Sequence, residues 1–280
     1  MKIKAIVLDI DGTLITNERI ISSGTKKALI QAQRDGIKVI LASGRPTPGM
    51  MEFAKELELD KNHGFLISYN GAVVTDLQTN EIIYEKTLSA EQAQNIIAHL
   101  KEFNVLVMLY KGDYVYVENA YYEQIAWNGH KLNIVEHEAH GCDMLICEVK
   151  DLVEFADFPM YKVLSAGQSD YLRSVEQELR APFIGKANSM FTSDFFYEYT
   201  AIGIDKANAL KSFLPQLGID PENLLAFGDG QNDMSMLEYA GIGVAMGNAR
   251  EEVQNVADFV TKTNNEDGIV HALNKYLKND

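Results

Sequence analysis

Short apolar segments alternating with stretches of helical spacing open the chain, and the same alternation returns near its end. Lys2 to Asp9 is a β-branched, apolar run ending in carboxylates, the pattern of a strand buried on both faces of a sheet. From Ser22 and Ser23, either of which can cap a helix, Ala28, Leu29 and Ala32 recur at helical spacing until Gly36 supplies a stop. Ile37 to Leu41 reads as a second strand, Thr47 to Leu57 as a helix and Phe65 to Ser68 as a third strand. Strand, helix, strand, helix, strand predicts an α/β fold with a doubly wound, Rossmann-like parallel sheet.

That rhythm breaks after Tyr69-Asn70-Gly71. Ala72 to Thr75 and Glu81 to Tyr84 flank a polar turn and read as a hairpin. A helix at about Ala90 to Phe103, strands at Val105 to Tyr110, Tyr114 to Glu118, Met144 to Val149 and Tyr161 to Ala166, and a helix at Asp170 to Leu179 predict an α+β unit with antiparallel strands. The α/β pattern then resumes with helix Lys206 to Leu217, strand Leu224 to Phe227, helix Asp233 to Tyr239, strand Gly243 to Met246 and a last helix from Asp267 to Leu277. The expected organisation is a core built from residues 1–83 and 196–280, split by an inserted α/β domain at 84–195.

Composition bounds the partners. With 25 Lys and Arg against 40 Asp and Glu, the formal charge is −15, a field that repels nucleic acid backbones and anionic membranes. A small anionic ligand stays compatible, because screening over about 8 Å lets a local cation cluster dominate. Cys142 and Cys147 lie five apart in what reads as one strand, so their side chains are expected on opposite faces and no disulfide between them is expected. Lys2-Ile3-Lys4 leads straight into the first strand, and the chain has no span of about 20 apolar residues, so a cytoplasmic protein is expected.

Four segments carry the chemistry. Asp9-Ile10-Asp11-Gly12-Thr13 sits where the first strand ends, the place at which open α/β sheets bind ligands. A carboxylate is already ionised at pH 7 and can attack phosphorus without an activating base. A second carboxylate two residues on can protonate the leaving oxygen and then activate water. The competing reading is a simple turn at Asp11-Gly12. Gly228-Asp229-Gly230-Gln231-Asn232-Asp233 follows another apolar strand and adds carboxylates of the kind that hold a hard cation such as Mg²⁺, although Asp233 also reads as a helix cap. Leu41-Ala42-Ser43-Gly44-Arg45 offers a hydroxyl, a glycine N–H and a guanidinium, all donors suited to phosphate, and equally an ordinary strand exit. Lys206 follows Asp205, a candidate N-cap. A cation in a first helical turn opposes the helix dipole, which points to an anion that it neutralises, the competing reading being an exposed lysine paired with Asp205 or solvent.

With these residues assembled, the chain resembles the haloacid dehalogenase-like (HAD) superfamily, and within it the Cof-type, sugar-phosphatase-like hydrolases. The resemblance covers nearly the whole length, with Asp9 to Thr13, Ser43, Lys206 and Gly228 to Asp233 matching the four family motifs in order. It implies Asp9 as nucleophile and Asp11 as general acid/base, with Mg²⁺ held by the Asp9 carboxylate, the Asp11 carbonyl and Asp229, and Asp233 supporting its water shell. Ser43, Gly44, Lys206, Asn232 and the Ile10 N–H would hold the phosphoryl group of a small phosphorylated metabolite. The insertion would be the family's α/β cap, covering the site and shaping the leaving-group pocket. The tract from Glu238-Tyr239-Ala240-Gly241 through Ala245-Met246-Gly247-Asn248-Ala249 is also typical of this branch, whereas Ala207 stands where family members often have glycine.

The implied reaction is Mg²⁺-dependent hydrolysis of a sugar phosphate through an aspartyl-phosphate. A phosphomutase or phosphotransferase on the same scaffold, or a non-catalytic binder of phosphometabolites, are the competing readings. Within the insertion, Tyr110, Tyr114, Tyr116, Tyr121, Tyr122 and Trp127 read as core or interface packing, and His130, His137 and His140 as solvated histidines in a loop-like region. The sequence does not specify an oligomeric state.

Overall fold

The computed structural model describes residues 2–127 and 129–277. Contacts divide the chain after Glu85 and again after Ile204, giving one unit from the two chain ends and a second from the segment between them.

In the first unit, strands β1 (Ala5–Leu8), β2 (Lys38–Ala42) and β3 (Phe65–Ser68) are parallel, and helices α1 (Ser23–Arg34) and α2 (Pro48–Glu56) connect them. Ser22 caps α1 by accepting a hydrogen bond from the Thr25 N–H. The hairpin strands β4 (Val73–Asp76) and β5 (Glu81–Glu85) then run antiparallel at the sheet edge.

The second unit contains α3 (Ala90–Leu100), β6 (Leu106–Lys111), β7 (Tyr114–Val117), β8 (Ile125–Trp127), β9 (His130–Leu132), α4 (Ile134–Gly141), β10 (Leu145–Glu148), α5 (Leu152–Phe155), β11 (Lys162–Ala166), α6 (Ser169–Ser174), α7 (Glu176–Arg180), β12 (Asn188–Phe191) and β13 (Phe196–Thr200). Its six-stranded sheet has the order β10-β7-β6-β11-β13-β12, and β8 pairs with β9 separately. The expected all-antiparallel pattern fails at one ladder: β10 runs parallel to β7, because the connection through α4 crosses over and returns the chain in the same direction.

Several sequence expectations shift here. The expected boundary at 195 moves, because β13 pairs along its length with β11 inside the second sheet and buries Tyr197 and Tyr199. The expected helix over Asp170 to Leu179 is two short helices meeting at Val175. Cys142 is the C-cap of α4, where its Sγ donates to Glu138 Oε1 at 3.5 Å, so of the two only Cys147 lies on a strand. His137 and His140 stand on α4, not in a loop. The aromatic residues divide: Tyr110 is buried and Tyr116 packs on Phe155 at 4.4 Å between ring centroids, whereas Tyr121 and Trp127 are exposed.

The chain re-enters the first unit with α8 (Lys206–Phe213), β14 (Leu224–Gly228), α9 (Met234–Tyr239), β15 (Ile242–Ala245), α10 (Glu251–Val256), β16 (Phe259–Val260) and α11 (Gly268–Tyr276). The helix expected to reach Leu217 stops at Phe213, where Leu214–Leu217, containing Pro215, tightens into a 3₁₀ turn. The complete sheet has the order β16-β15-β14-β1-β2-β3-β4-β5. Alternation along the strands supplies two cores. Ile6, Leu8, Leu41 and Phe227 face α1, α2 and α11, while Ala5, Val7, Ile40 and Ala226 face α8, α9 and α10. Strand order reverses about β1, since the chain leaves it towards β2 and later returns on its other side as β14. That topological switch point puts the carboxyl ends of β1 and β14 side by side. No helix among the described residues is long and apolar enough to cross a membrane.

Candidate active site

Asp9 is the first residue beyond β1, and its N–H donates to the Phe227 carbonyl of β14. The following turn, Ile10–Leu14, has Gly12 at φ +80°. A side chain there is doubly excluded: the backbone is left-handed, and a Cβ would lie 2.3 Å from Asp229 Oδ2. The turn reading of Asp11-Gly12 therefore holds, and the tight exit brings the two carboxylate loops together. Thr13 Oγ1 completes the join by donating to Asp229 Oδ1 at 2.8 Å.

Lys206 is fully buried at the start of α8, behind the Asp205 cap that accepts from the Asn208 N–H. Its Nζ donates to Asp9 Oδ1 at 2.6 Å and to Asp233 Oδ1 at 2.5 Å. The lysine disfavoured by the helix dipole thus neutralises two buried carboxylates, which rules out the surface pairing with Asp205. Asp233 spends its other oxygen on the N–H groups of Asp229 and Gly230, both at 2.9 Å, and so fixes the loop after β14. Burial disfavours the Lys206 ammonium, but Asp233 and Asp9 more than offset this and raise its pKa above the ordinary lysine range. Burial, then the neighbouring Asp233 charge, pushes the Asp9 carboxyl well above the usual range against the pull of Lys206.

Asp9, Asp229 and Asp233 can each offer an oxygen within 4.8 Å of the others, an arrangement able to hold a metal ion. Its charge fits a divalent cation: three carboxylates against one ammonium leave two negative charges uncompensated. Its donors fit too. Lys206 uses Oδ1 of Asp9 and Thr13 uses Oδ1 of Asp229, so the second oxygen of each is the one to ligate a hard ion.

Burial also lifts the Asp229 carboxyl to about 6, against the opposing Thr13 hydrogen bond. A carboxyl whose folded pKa is raised stabilises the fold below its unfolded pKa, and that contribution is lost as pH rises through the folded value. Metal-free Asp229→Asn is therefore expected to be more stable than the parent at pH 7.5, by on the order of 1 to 3 kcal/mol. The gain should shrink as pH falls from 6 towards 4. Urea unfolding in chelator checks this, and a less stable variant at pH 7.5 would contradict it.

The remaining sequence candidates lie around this cluster. Ile10 is buried in the turn beside Asp9. Ser43, 2% exposed, follows β2, and its Oγ accepts from the Arg45 N–H at 3.2 Å. Gly44 lies against the amide of Asn70, and Asn232 donates through Nδ2 to Asn70 Oδ1 at 3.0 Å. The Asp11 side chain stands outside the carboxylate cluster, gripped by Arg45 through Nε at 2.6 Å and Nη2 at 2.7 Å.

Sequence reasoning did not find that pairing, nor the Asp229 partner of Thr13, nor Asn70 or Asn248, whose Nδ2 donates to the Gly12 carbonyl at 2.8 Å. Signals existed for some of these. Asn70 lies two residues beyond β3, a parallel strand of the same sheet, and Asn248 lies in a tract already singled out, but neither pattern discloses its partner.

Comparison with known proteins matches this architecture. The family model for haloacid dehalogenase-like hydrolases matches residues 6–273. The 5-amino-6-(5-phospho-D-ribitylamino)uracil phosphatase YcsE of Bacillus subtilis is 31% identical over 278 residues, covering 98% of this chain and 96% of its own. A crystal structure of a haloacid dehalogenase-like hydrolase from Bacteroides thetaiotaomicron superposes with a TM-score of 0.89 at 37% identity, over 98% of this chain and 99% of that one. The HAD subclass IIB sugar phosphatase BT4131 superposes with a TM-score of 0.80 at 29% identity, over 98% of each chain. Since these likenesses span both units and run through every motif that builds the carboxylate cluster, the protein belongs to the haloacid dehalogenase-like hydrolase family and is a phosphatase.

Proposed function

We propose that the protein is a Mg²⁺-dependent phosphatase of small phosphorylated metabolites, with sugar phosphates as the substrate class, and that Asp9 is its nucleophile. The observation that carries this reading is the buried Asp9 carboxylate, gripped by Lys206 through Oδ1 alone and flanked by Asp229. Bound Mg²⁺ would supply the positive charge that keeps Asp9 ionised and neutralises the phosphoryl oxygens, with Asp9, the Asp11 carbonyl and Asp229 as ligands and Asp233 in support.

This chain's own residues do the rest. Asp9 attacks phosphorus, the P–O bond to the leaving alcohol breaks, and the phosphoryl group is carried as an acyl phosphate. Asp11 gives a proton to the leaving oxygen and then takes one from the water that attacks phosphorus, a step that breaks the bond from phosphorus to the Asp9 oxygen, releases inorganic phosphate and restores the Asp9 carboxylate. Before Asp11 can do either, it must release Arg45, which engages both of its oxygens. The Ile10 N–H, Ser43, Gly44, Lys206 and Asn232 hold the phosphoryl oxygens, whose charge grows in the transition state. The insertion, as a cap, would select the leaving group. The substrate class draws support from the names of two relatives, one a sugar phosphatase and one a phosphatase of a ribityl phosphate.

A panel of phosphate esters tests the proposal. Release of free phosphate from sugar phosphates with Mg²⁺, lost on chelation and restored by Mg²⁺, is the expected result. Metal-independent release would overturn the metal assignment. Transfer of the phosphoryl group to a second sugar, with no free phosphate, would replace hydrolysis by phosphotransfer.

A further inference from the structure

The segment between β3 and β4 is bent in an unusual way for its composition. Tyr69 and Asn70 both have left-handed backbones, at φ 51° and 57°, and both are buried at 5% exposure. Two successive non-glycine residues in this region persist only where the surroundings over-determine them, and such strain gathers at functional sites. Asparagine is among the few side chains that tolerate it, so the residue type matches the backbone.

The surroundings that hold the bend are the loops of the active site. The Tyr69 N–H donates to the Arg45 carbonyl and the Asn70 N–H to the Ser43 carbonyl, both at 2.9 Å, which ties the segment to the loop after β2. Asn70 Oδ1 accepts from Asn232 Nδ2 at 3.0 Å, which ties it to the loop after β14. The Asn70 amide lies so close to Gly44 that a Cβ there would sit 3.1 Å from both Nδ2 and Oδ1. Gly71 closes on the cap of α8, where a Cβ would come within 2.3 Å of the Asp205 carbonyl oxygen, one residue before Lys206. One three-residue segment therefore touches all the loops that present Ser43, Gly44, Lys206 and Asn232.

Building on the phosphatase reading above, we infer that Asn70 is a positioning residue of the phosphoryl pocket: its side-chain amide sets the Asn232 amide and the Gly44 backbone for the phosphoryl oxygens. A side chain that only relieved backbone strain would have no reason to span two loops.

Inorganic phosphate binding to the Mg²⁺-loaded protein, followed by calorimetry beside turnover of a phosphate ester, tests the inference. Asn70→Gly keeps the left-handed backbone and deletes the amide. It is expected to weaken phosphate binding and lower kcat/KM by about 10- to 100-fold, as loss of an orienting partner does. Asn70→Ala should lose as much phosphate binding as Asn70→Gly but melt at a lower temperature, since only alanine bears the left-handed strain. Combined with Asn232→Ala, Asn70→Gly should cost clearly less than it does in the parent, because part of its effect passes through Asn232. Unchanged phosphate binding in Asn70→Gly, or effects of the two substitutions that multiply, would overturn it. Failure of the parent protein to hydrolyse any ester would instead count against the phosphatase chemistry, and the phosphate-binding comparison would still decide the role of Asn70.

Discussion

Asp9→Asn is expected to abolish turnover while leaving the core folded. Amide nitrogen and oxygen keep the side chain's shape between β1 and Lys206, but an amide cannot attack phosphorus to give an acyl phosphate. Loss of a covalent nucleophile costs on the order of 10⁴-fold or more in kcat. The fold has little reason to suffer. Asp9 is buried beside Asp233, and that environment already disfavours its ionised form. Circular dichroism and thermal unfolding of the metal-free variant should match the parent or exceed it, while hydrolysis of its best ester falls to background. Residual turnover within about tenfold of the parent would remove Asp9 from the nucleophile's role.

Lys206→Met should damage both stability and activity. Methionine fills much of the same apolar path, so the change isolates the ammonium. Without it the carboxylates of Asp9 and Asp233, each bonded to Nζ within 2.6 Å, share a buried site with no cation. Breaking a buried ion pair by removing one partner costs about 3 to 5 kcal/mol. The loss should be smallest at low pH, where one carboxyl can take a proton, and smaller again with Mg²⁺ present. A cycle with Asp9→Asn checks the assignment by urea unfolding: the double variant should be less destabilised than the sum of the singles, because the repulsion that Lys206 relieved has itself been removed. Strict additivity would show that Lys206 does not hold these groups together.

Which parts of this were legible in the sequence follows from what residue patterns encode. Apolar runs of strand length separated by helical spacing reveal β1, β2, β3 and β14, because a strand buried on both faces must be apolar throughout. Glycine beside aspartate at two strand ends marks loops at the sheet's carboxyl edge. What patterns cannot encode is partnership over long sequence separations. Lys206 showed itself only as a cation in an unfavourable helical position, and the fold supplies Asp9 and Asp233 as the reason. Arg45 looked like a phosphate donor, and the fold spends it on Asp11.

The second unit was harder to read. Its strand β13 carries Glu198 at 1% exposure, paired with the buried Lys162 of β11 at 3.3 Å, so charged residues interrupt the apolar signal that a buried strand should give. The bend at Tyr69 and Asn70 has only the Asn70-Gly71 pair as a local cue, since neighbours from three loops hold the positive φ of both residues.

Rapid acid quenching of the enzyme during turnover of a good ester, followed by peptide mass spectrometry, tests the central claim most directly. The account predicts a single phosphoryl group on the peptide containing Asp9, absent from Asp9→Asn and absent without Mg²⁺. A phosphoryl group found on another residue, or an Asp9→Asn variant that still releases phosphate at the parent's rate, would contradict it.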